Sequence, residues 1–176
     1  MLHLEPWQTV ERRHLIGVGA FAAAIVVLLV SGDPGWTPIM DSANLVFHEA
    51  GHHIYGIFGD TAALYGGLLG QLTFPIVVMI VFFLRREPAG VAVGLVWASQ
   101  NLFSIARYMA DARARELPLV GGTEHDFEHI FTRWGVLNRD VEIAGTTRTL
   151  GWIGLGLALG WLAWRYWRDH QRRVED

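Results

Sequence analysis

The stretch TAALYGGLLGQLTFPIVVMIVFFL at residues 61–84 contains no aspartate, glutamate, arginine or lysine. A helix that rises about 1.5 Å per residue over this stretch is long enough to cross the roughly 30 Å hydrocarbon core of a bilayer. Three further uncharged runs occur in the chain, at residues 15–32, 88–106 and 149–164. The four runs predict membrane helices, and they favour an all-α fold: a polytopic membrane helical bundle.

The composition of the chain agrees with this class. The 176 residues are 52% hydrophobic, and the uncharged runs leave no room for a separate soluble domain, so residues 1–176 are expected to form a single integral membrane domain. The net charge of −3 is spread over the loops, which excludes nucleic acid as a partner because phosphates require a concentrated basic face. The chain has no cysteine, which excludes disulfides and thiolate metal ligands.

Orientation in the membrane depends on residues 42–58, which form a fifth membrane helix if they cross the bilayer. If they do not cross, the N-terminus, residues 85–86 and the C-terminus share one side and carry eight arginines, against six in residues 107–148. If they do cross, the N-terminus lies on the same side as residues 107–148, and that side carries eight arginines against six on the other. The positive-inside rule therefore favours neither of the two topologies. We expect a protein of the bacterial inner membrane with its N-terminus in the cytoplasm.

The stretch LVFHEAGHHIYGIF at residues 45–58 places ionisable side chains among apolar ones. Asp41 is a good helix start and no proline follows it here, so a helix is predicted over about residues 42–58. His48 and His52 are four residues apart, which puts both imidazoles on one face of such a helix, where they can share a cation. Ionisable side chains are costly in a membrane segment and usually mark a site, and a metal ion would compensate them.

A catalytic zinc has three protein ligands and one open position, so HEAGH supplies only part of the site. In a HExxH helix the glutamate, here Glu49, acts as general base on the attacking water. The third ligand must come from the polar segment at residues 107–148, and our order of preference is His125, then Asp126, then Asp111.

Other polar residues receive simpler interpretations. His53 points away from the shared face and is expected to make a local hydrogen bond. Gln100 and Asn101 lie inside an uncharged run, where amide side chains usually link helices. A short interfacial helix is predicted from Glu124 to about Leu137, and Thr123 is its predicted N-cap. Glu128 and His129 would lie on its solvated face, and glycine pairs at four-residue spacing would pack helices: Gly66 with Gly70, Gly90 with Gly94, and Gly156 with Gly160.

The sequence FHEAGHHIYGIFG at residues 47–59, followed by a glycine-rich apolar run, resembles the site-2 protease group of intramembrane zinc metallopeptidases. The resemblance implies that His48 and His52 bind zinc and that Glu49 activates water for attack on a peptide bond within the bilayer. The Leu-Asp-Gly motif of that family is not matched, because LPLVGG at residues 117–122 has Val120 where the family has its aspartate ligand. Asp126 or His125 would take that place.

Three functional hypotheses follow from these motifs. The first is a membrane-embedded zinc hydrolase with one Zn²⁺, which acts on a membrane-embedded peptide or another hydrophobic substrate. The second is a two-metal enzyme, with a second zinc or with iron, acting on a lipid or a small hydrophobic molecule; His125 and His129 are also four residues apart and could hold the second ion. The third is a membrane protein that binds or transports metal without catalysis.

Overall fold

The structure of the chain, a computed structural model, describes residues 6–33, 35–120 and 124–175, with side chains as far as residue 171. The described residues form helices and contain no β-strand, which confirms the predicted all-α class. In chain order the helices are α1 (Arg12–Ser31), α2 (Pro38–Gly56), α3 (Asp60–Leu84), α4 (Pro88–Ala110), α5 (Asp126–Arg133) and α6 (Asp140–Glu175), with a short 3₁₀ turn at Leu137–Arg139.

Three of these helices, α1, α3 and α4, are long and apolar enough to cross a membrane. They contain the uncharged runs at residues 15–32, 61–84 and 88–106 almost entirely, and they are consistent with an integral membrane protein. The fourth run, residues 149–164, lies inside α6, a helix of 36 residues that continues past the run at both ends. The structure therefore gives three helices that meet the requirements of a span within the described residues, rather than the four to five that the sequence predicts.

The helix that carries HEAGH starts earlier than predicted. It begins at Pro38 rather than at residue 42, and it ends at Gly56. Proline at the first helical position loses no hydrogen bond, because that N–H has no partner within the helix, and its fixed φ favours a helix start. The extra turn brings the beginning of α2 into contact with α4.

The short helix in the polar segment differs from its predicted bounds of residues 124–137, because α5 covers only Asp126–Arg133. Its N-cap is His125, whose Nδ1 accepts a hydrogen bond from the main-chain N–H of Glu128 at 3.4 Å. Gly135, with a φ of +68°, follows the last turn and ends the helix. The predicted cap, Thr123, lies outside the described residues.

Helix α4 forms the centre of the bundle, since it contacts α1, α3 and α6, whereas α2 packs mainly on α3. Its Ala92 and Val96 are fully buried in a core shared with Val18 and Ile25 of α1 and with Leu162 of α6. Burial of such side chains from both neighbours is what fixes α4 between them.

Two of the predicted glycine pairs lie at helix contacts, and one does not. An added Cβ would collide with the ring of Phe82 at Gly90 and with the main chain and Cβ of Met79 at Gly94, so these glycines let α3 and α4 approach closely. Around Gly156 and Gly160 of α6, no described atom lies within 4 Å of an added Cβ, so this pair does not touch another helix in the described part of the chain.

One end of the bundle gathers three separate parts of the chain. The ring of Trp7 packs edge-on against Phe83 and Trp161, with ring centroids 5.2 and 5.9 Å apart. The main-chain N–H of Gln8 donates to the carbonyl oxygen of Arg86 at 2.9 Å. The segment before α1, the turn between α3 and α4 and the last part of α6 therefore lie together.

Helix α2 starts inside the bundle and runs towards the opposite end. Its N-cap, Thr37, accepts a hydrogen bond from Nε2 of Gln100 at 2.7 Å, near the middle of α4. Near its C-terminus, the Nδ1 of His52 lies 2.8 Å from the carbonyl oxygen of Ala63 in the first turn of α3. Helix α2 is therefore antiparallel to α3 and ends where α3 begins.

A buried hydrogen-bond network holds this start of α2. Asp41 accepts from the hydroxyl of Thr37 at 2.8 Å and from Nε2 of Gln100 at 2.7 Å. Asn44 donates to Oε1 of Gln100 at 2.8 Å and accepts from Nε1 of Trp97 at 3.0 Å. The structure thus shows Gln100 linking α2 to α4, as the sequence predicts. The polar side chains at the start of α2 find their hydrogen-bond partners within the protein rather than in water.

Candidate metal centre

His48 and His52 lie on one face of α2, as their spacing predicts, with their ring centroids 4.9 Å apart. His48 is buried, with 8% of its surface exposed, and His52 is half-buried. Both rings point into the space between α2, α3 and the beginning of α5, where their Nε2 atoms converge.

Asp126, the first residue of α5, meets both imidazoles. Its Oδ2 lies 2.9 Å from Nε2 of His48 and 3.2 Å from Nε2 of His52. The three potential ligand atoms all lie within 4.8 Å of one another. Two imidazoles and one carboxylate are a ligand set that zinc accepts, and a fourth position would remain for water or substrate.

The outer nitrogens of both rings face carbonyl oxygens. Nδ1 of His48 lies 3.4 Å from Oε1 of Gln71, and Nδ1 of His52 lies 2.8 Å from the main-chain oxygen of Ala63. Because these oxygens only accept, each Nδ1 carries the proton and donates, which fixes the ring orientation and leaves Nε2 to face Asp126. Such outer contacts are the usual partners of histidines that bind a metal.

This assignment puts the Nε2 atoms of His48 and His52 against one carboxylate oxygen of Asp126. In neutral imidazoles with the proton on Nδ1, both Nε2 atoms would be hydrogen-bond acceptors, as the carboxylate oxygen is. Either protons or a cation must lie between them. Burial alone would raise the pKa of Asp126, but the hydrogen bonds from His48 and His52 lower it to about 2, so the carboxylate is ionised at neutral pH. A divalent cation can replace the imidazole protons here, which is how metal binding to histidine sites generally proceeds.

Gly67 of α3 leaves room for the two rings. A Cβ at this position would collide with the ring of His48 and would lie 2.7 Å from Nε2 of His52. Any larger residue would therefore fill the space in which the ligand atoms converge. This glycine lies one residue after the predicted packing residue Gly66, and no sequence pattern distinguishes it.

Glu49, the predicted general base, is half-buried and lines a cavity of about 920 Å³ that also includes His48, His52 and Asp126 in its wall. Among the described residues, no hydrogen bond or ion pair engages its carboxylate, so the carboxylate is available to a molecule in the cavity. Apolar side chains form much of the remaining wall, namely Trp36, Leu45, Leu117, Leu119 and Val120. Val120 thus lies in the cavity wall and, as an apolar residue, supplies no ligand.

His125, the first choice for the third ligand, is not gathered with the other three. It is fully buried, and its Nε2 lies 3.4 Å from Oδ2 of Asp111. Burial lowers the pKa of His125, although Asp111 acts in the opposite direction. Asp111 in turn accepts the main-chain N–H groups of Glu116 and Leu117 at 2.9 and 3.2 Å. Asp111 therefore holds the main chain at residues 116–117, and Asp111 and His125 face each other rather than the metal candidate.

The remaining predicted residues contribute no atom to the group of His48, His52 and Asp126. Nδ1 of His53 is 3.0 Å from the main-chain oxygen of Glu49, a local contact as expected. His129 is largely exposed, and its Nε2 lies 3.4 Å from a carboxylate oxygen of Glu124. Asn101 donates to the main-chain oxygen of Trp97 within α4, so it does not link helices. In the described part of the chain, His125 and His129 do not converge on a second metal position.

Tyr108, in the last turn of α4, belongs to the site although the sequence interpretation omitted it. Its ring stacks on His125 at a centroid distance of 4.1 Å and meets His48 edge-on at 5.8 Å. Its hydroxyl accepts the main-chain N–H of Asp126 at 3.2 Å. A tyrosine at the end of a predicted span resembles an ordinary interfacial aromatic residue, so the sequence carries no signal that separates it.

No protein-family model, no curated protein and no solved structure matches this chain. The candidate centre therefore has to be interpreted from its own geometry.

Proposed function

We propose that the chain is a membrane-embedded, zinc-dependent hydrolase. Its substrate is a membrane-embedded peptide, in which it hydrolyses a peptide bond as site-2 proteases do. The observation that carries the proposal is the convergence of His48 and His52 on Asp126 while the outer ring nitrogens are held by carbonyl oxygens. The roles follow the motif: the three residues hold one Zn²⁺, and Glu49 is the general base.

In this reaction a zinc ion supplies a Lewis acid that makes water more acidic and the carbonyl carbon more electrophilic. Glu49 takes a proton from the attacking water and delivers it to the nitrogen of the leaving amine, so the peptide bond is cleaved by net addition of water. The uncommitted carboxylate in the cavity wall supports this role. Apolar side chains in the same wall would hold a hydrophobic segment of the substrate.

We assign α6 as a fourth span, since its central residues 149–164 are uncharged and α6 packs against α4. It assigns α2 as a re-entrant helix that does not cross, because α2 starts near the middle of α4 and ends where α3 begins. The end that gathers Trp7, Arg86 and α6 then carries eight arginines against six. The positive-inside rule places that end in the cytoplasm and the metal centre nearer the opposite surface.

A single experiment tests the metal and the base together. Protein purified in detergent would be analysed for metal and assayed on a quenched-fluorescent library of single-span peptides. We expect one zinc per chain in the wild type, no stoichiometric zinc in His48→Ala and His52→Ala, and full zinc with at least a hundredfold loss of cleavage in Glu49→Gln. Glu124→Gln, which alters another carboxylate of the cavity wall, is the matched control. A metal-free wild type, or a Glu49→Gln variant that cleaves normally, would refute the proposal.

Orientation can be tested separately, because the chain has no cysteine of its own. Single cysteines would be introduced by Glu87→Cys in the turn between α3 and α4 and by Thr132→Cys in α5. We expect a membrane-impermeant maleimide to label the Thr132→Cys variant in intact cells and the Glu87→Cys variant only after lysis. The reverse pattern would overturn the assigned orientation while leaving the metal centre untouched.

A further inference from the structure

Tyr108 lies beside the metal-ligand candidates in the wall of the cavity. Its ring fills the space between His48 and His125, and the residue lines the cavity together with Glu49. These contacts on two faces of the ring fix its orientation, so the hydroxyl has a defined position beside Asp126. Rigid placement of this kind is what an enzyme requires of a group that acts on a transition state.

The hydroxyl of Tyr108 uses only half of its hydrogen-bonding capacity. Its oxygen accepts the main-chain N–H of Asp126 at 3.2 Å. Within the described ranges, no protein atom accepts the phenolic hydrogen. A tyrosine hydroxyl both donates and accepts, so its remaining donor is available to a molecule in the cavity.

The guanidinium of Arg107, which also lines the cavity, is already engaged. The guanidinium of Arg107 forms an ion pair with Asp33 and lies over the ring of Trp36, 5.5 Å from its centroid. This arrangement holds Arg107 at the connection between α1 and α2 and away from the ligand residues. Tyr108 therefore combines contact with the ligand residues and a hydroxyl proton that no described protein atom accepts.

We propose that Tyr108 is a catalytic residue that donates its O–H hydrogen bond to the carbonyl oxygen of the substrate as that oxygen gains negative charge. The inference rests on the proposed hydrolase. Tyr108 forms and breaks no covalent bond: the electron pair of the C=O π bond moves to the oxygen, Glu49 takes the proton from water, and Tyr108 stabilises the new charge. Removal of one such donor typically lowers kcat by about 10²–10³-fold.

The test uses a ligand in place of a substrate, so it does not depend on an activity assay. Full-length protein in detergent would be loaded with Co²⁺ and titrated with acetohydroxamate, whose anionic oxygen stands in for the developing charge, and binding would be followed in the Co²⁺ absorption spectrum. Tyr108→Phe keeps the ring and removes the hydroxyl. Tyr65→Phe is the matched control, because Tyr65 is also half-buried but its hydroxyl accepts from Nε1 of Trp134, outside the cavity.

We expect Tyr108→Phe to bind Co²⁺ within about threefold of the wild type but acetohydroxamate about 10–100-fold more weakly, the usual effect of one hydrogen bond to a charged group. Tyr65→Phe should match the wild type in both titrations. Unchanged hydroxamate affinity would overturn the role of Tyr108, and so would a loss of Co²⁺ affinity that accounts for the whole effect, since Tyr108 would then only position Asp126. Failure of the wild type to bind Co²⁺ would instead refute the hydrolase proposal and this inference with it.

Discussion

Gly51, the glycine of HEAGH, lies against the main chain of Gly66 where α2 crosses α3. A Cβ on Gly51 would collide with the carbonyl group of Gly66, and a Cβ on Gly66 would lie 2.6 Å from the carbonyl oxygen of Gly51. The two helices can therefore approach only because both positions lack a side chain. This crossing sets the direction of His48 and His52, which flank Gly51 on the same helix.

Gly51→Ala should destabilise the protein and weaken the metal centre. The added methyl group forces α2 away from α3, and overpacking of this kind costs about 1–3 kcal/mol. We expect a lower melting temperature in detergent and weaker zinc binding, measured by competition with a chelator. Gly56→Ala is the control on the same helix, since its Cβ would meet the Cβ of Ala63 at an ordinary 3.5 Å. Equal behaviour of the two variants would contradict the role assigned to the crossing.

Gly67→Ala should affect metal binding more than stability. The new Cβ would occupy the space where His48 and His52 converge, so the two Nε2 atoms could no longer approach one ion together. We expect at least a tenfold loss of zinc affinity by isothermal titration with only a small change in melting temperature. Gly145→Ala serves as the control, because an added Cβ there has no described atom within 4 Å. Zinc binding unchanged in Gly67→Ala would place the ion elsewhere.

The third ligand can be identified by comparing two neighbouring variants. Asp126→Ala removes the carboxylate that meets both imidazoles, and we expect it to lose stoichiometric zinc. His125→Ala should keep zinc but bind it about 10–100-fold more weakly, because it loosens the loop that presents Asp126. His129→Ala, at an exposed position, should match the wild type. If His125→Ala loses zinc while Asp126→Ala retains it, the preference for His125 that the sequence indicates is correct.

The sequence predicts the parts of the site that follow from helical periodicity. The spacing of His48 and His52 requires them to share a face once α2 is a helix, and the uncharged runs at residues 61–84 and 88–106 require long apolar helices. Those inferences need no knowledge of how the helices pack. The structure shows both features.

The choice among His125, Asp126 and Asp111 does not follow from any period. It depends on the path of the chain after α4, where Asp111 accepts hydrogen bonds from the main-chain N–H groups of Glu116 and Leu117. The observed helix begins at Asp126, two residues later than the predicted start at Glu124, and this shift makes His125 the N-cap. Gly67 and Tyr108 were not predicted as site residues because their roles depend on how α3 and α4 pack against α2. The local sequence around each residue does not determine that packing.

Gln100→Leu should destabilise the start of α2. It removes the amide that donates to Thr37 and Asp41 and accepts from Asn44. Buried polar groups left without partners cost about 1–3 kcal/mol each, and more when charged. We expect a lower melting temperature in detergent and faster proteolysis before α2. Ser99→Ala is the neighbouring control, because the hydroxyl of Ser99 donates only to the main-chain oxygen of Leu95. Similar losses in both variants would argue against a special role for the network.

Asp140→Asn should remove part of the acid sensitivity of the protein. Asp140 is buried at the start of α6 and accepts from the guanidinium of Arg113 at 2.7 and 2.9 Å, which holds its pKa below the usual value. A carboxyl whose folded pKa is below its unfolded pKa adds stability above the unfolded value, near pH 4, and loses it as the pH falls towards the folded value. We expect Asp140→Asn to lower the melting temperature at pH 7 by about 2–4 °C and to converge with the wild type below pH 4. Glu142→Gln, which disrupts an exposed ion pair with Arg139, is the control and should change the melting temperature little at either pH. A difference between Asp140→Asn and the wild type that stays constant at every pH would show that the effect does not come from the titration of Asp140.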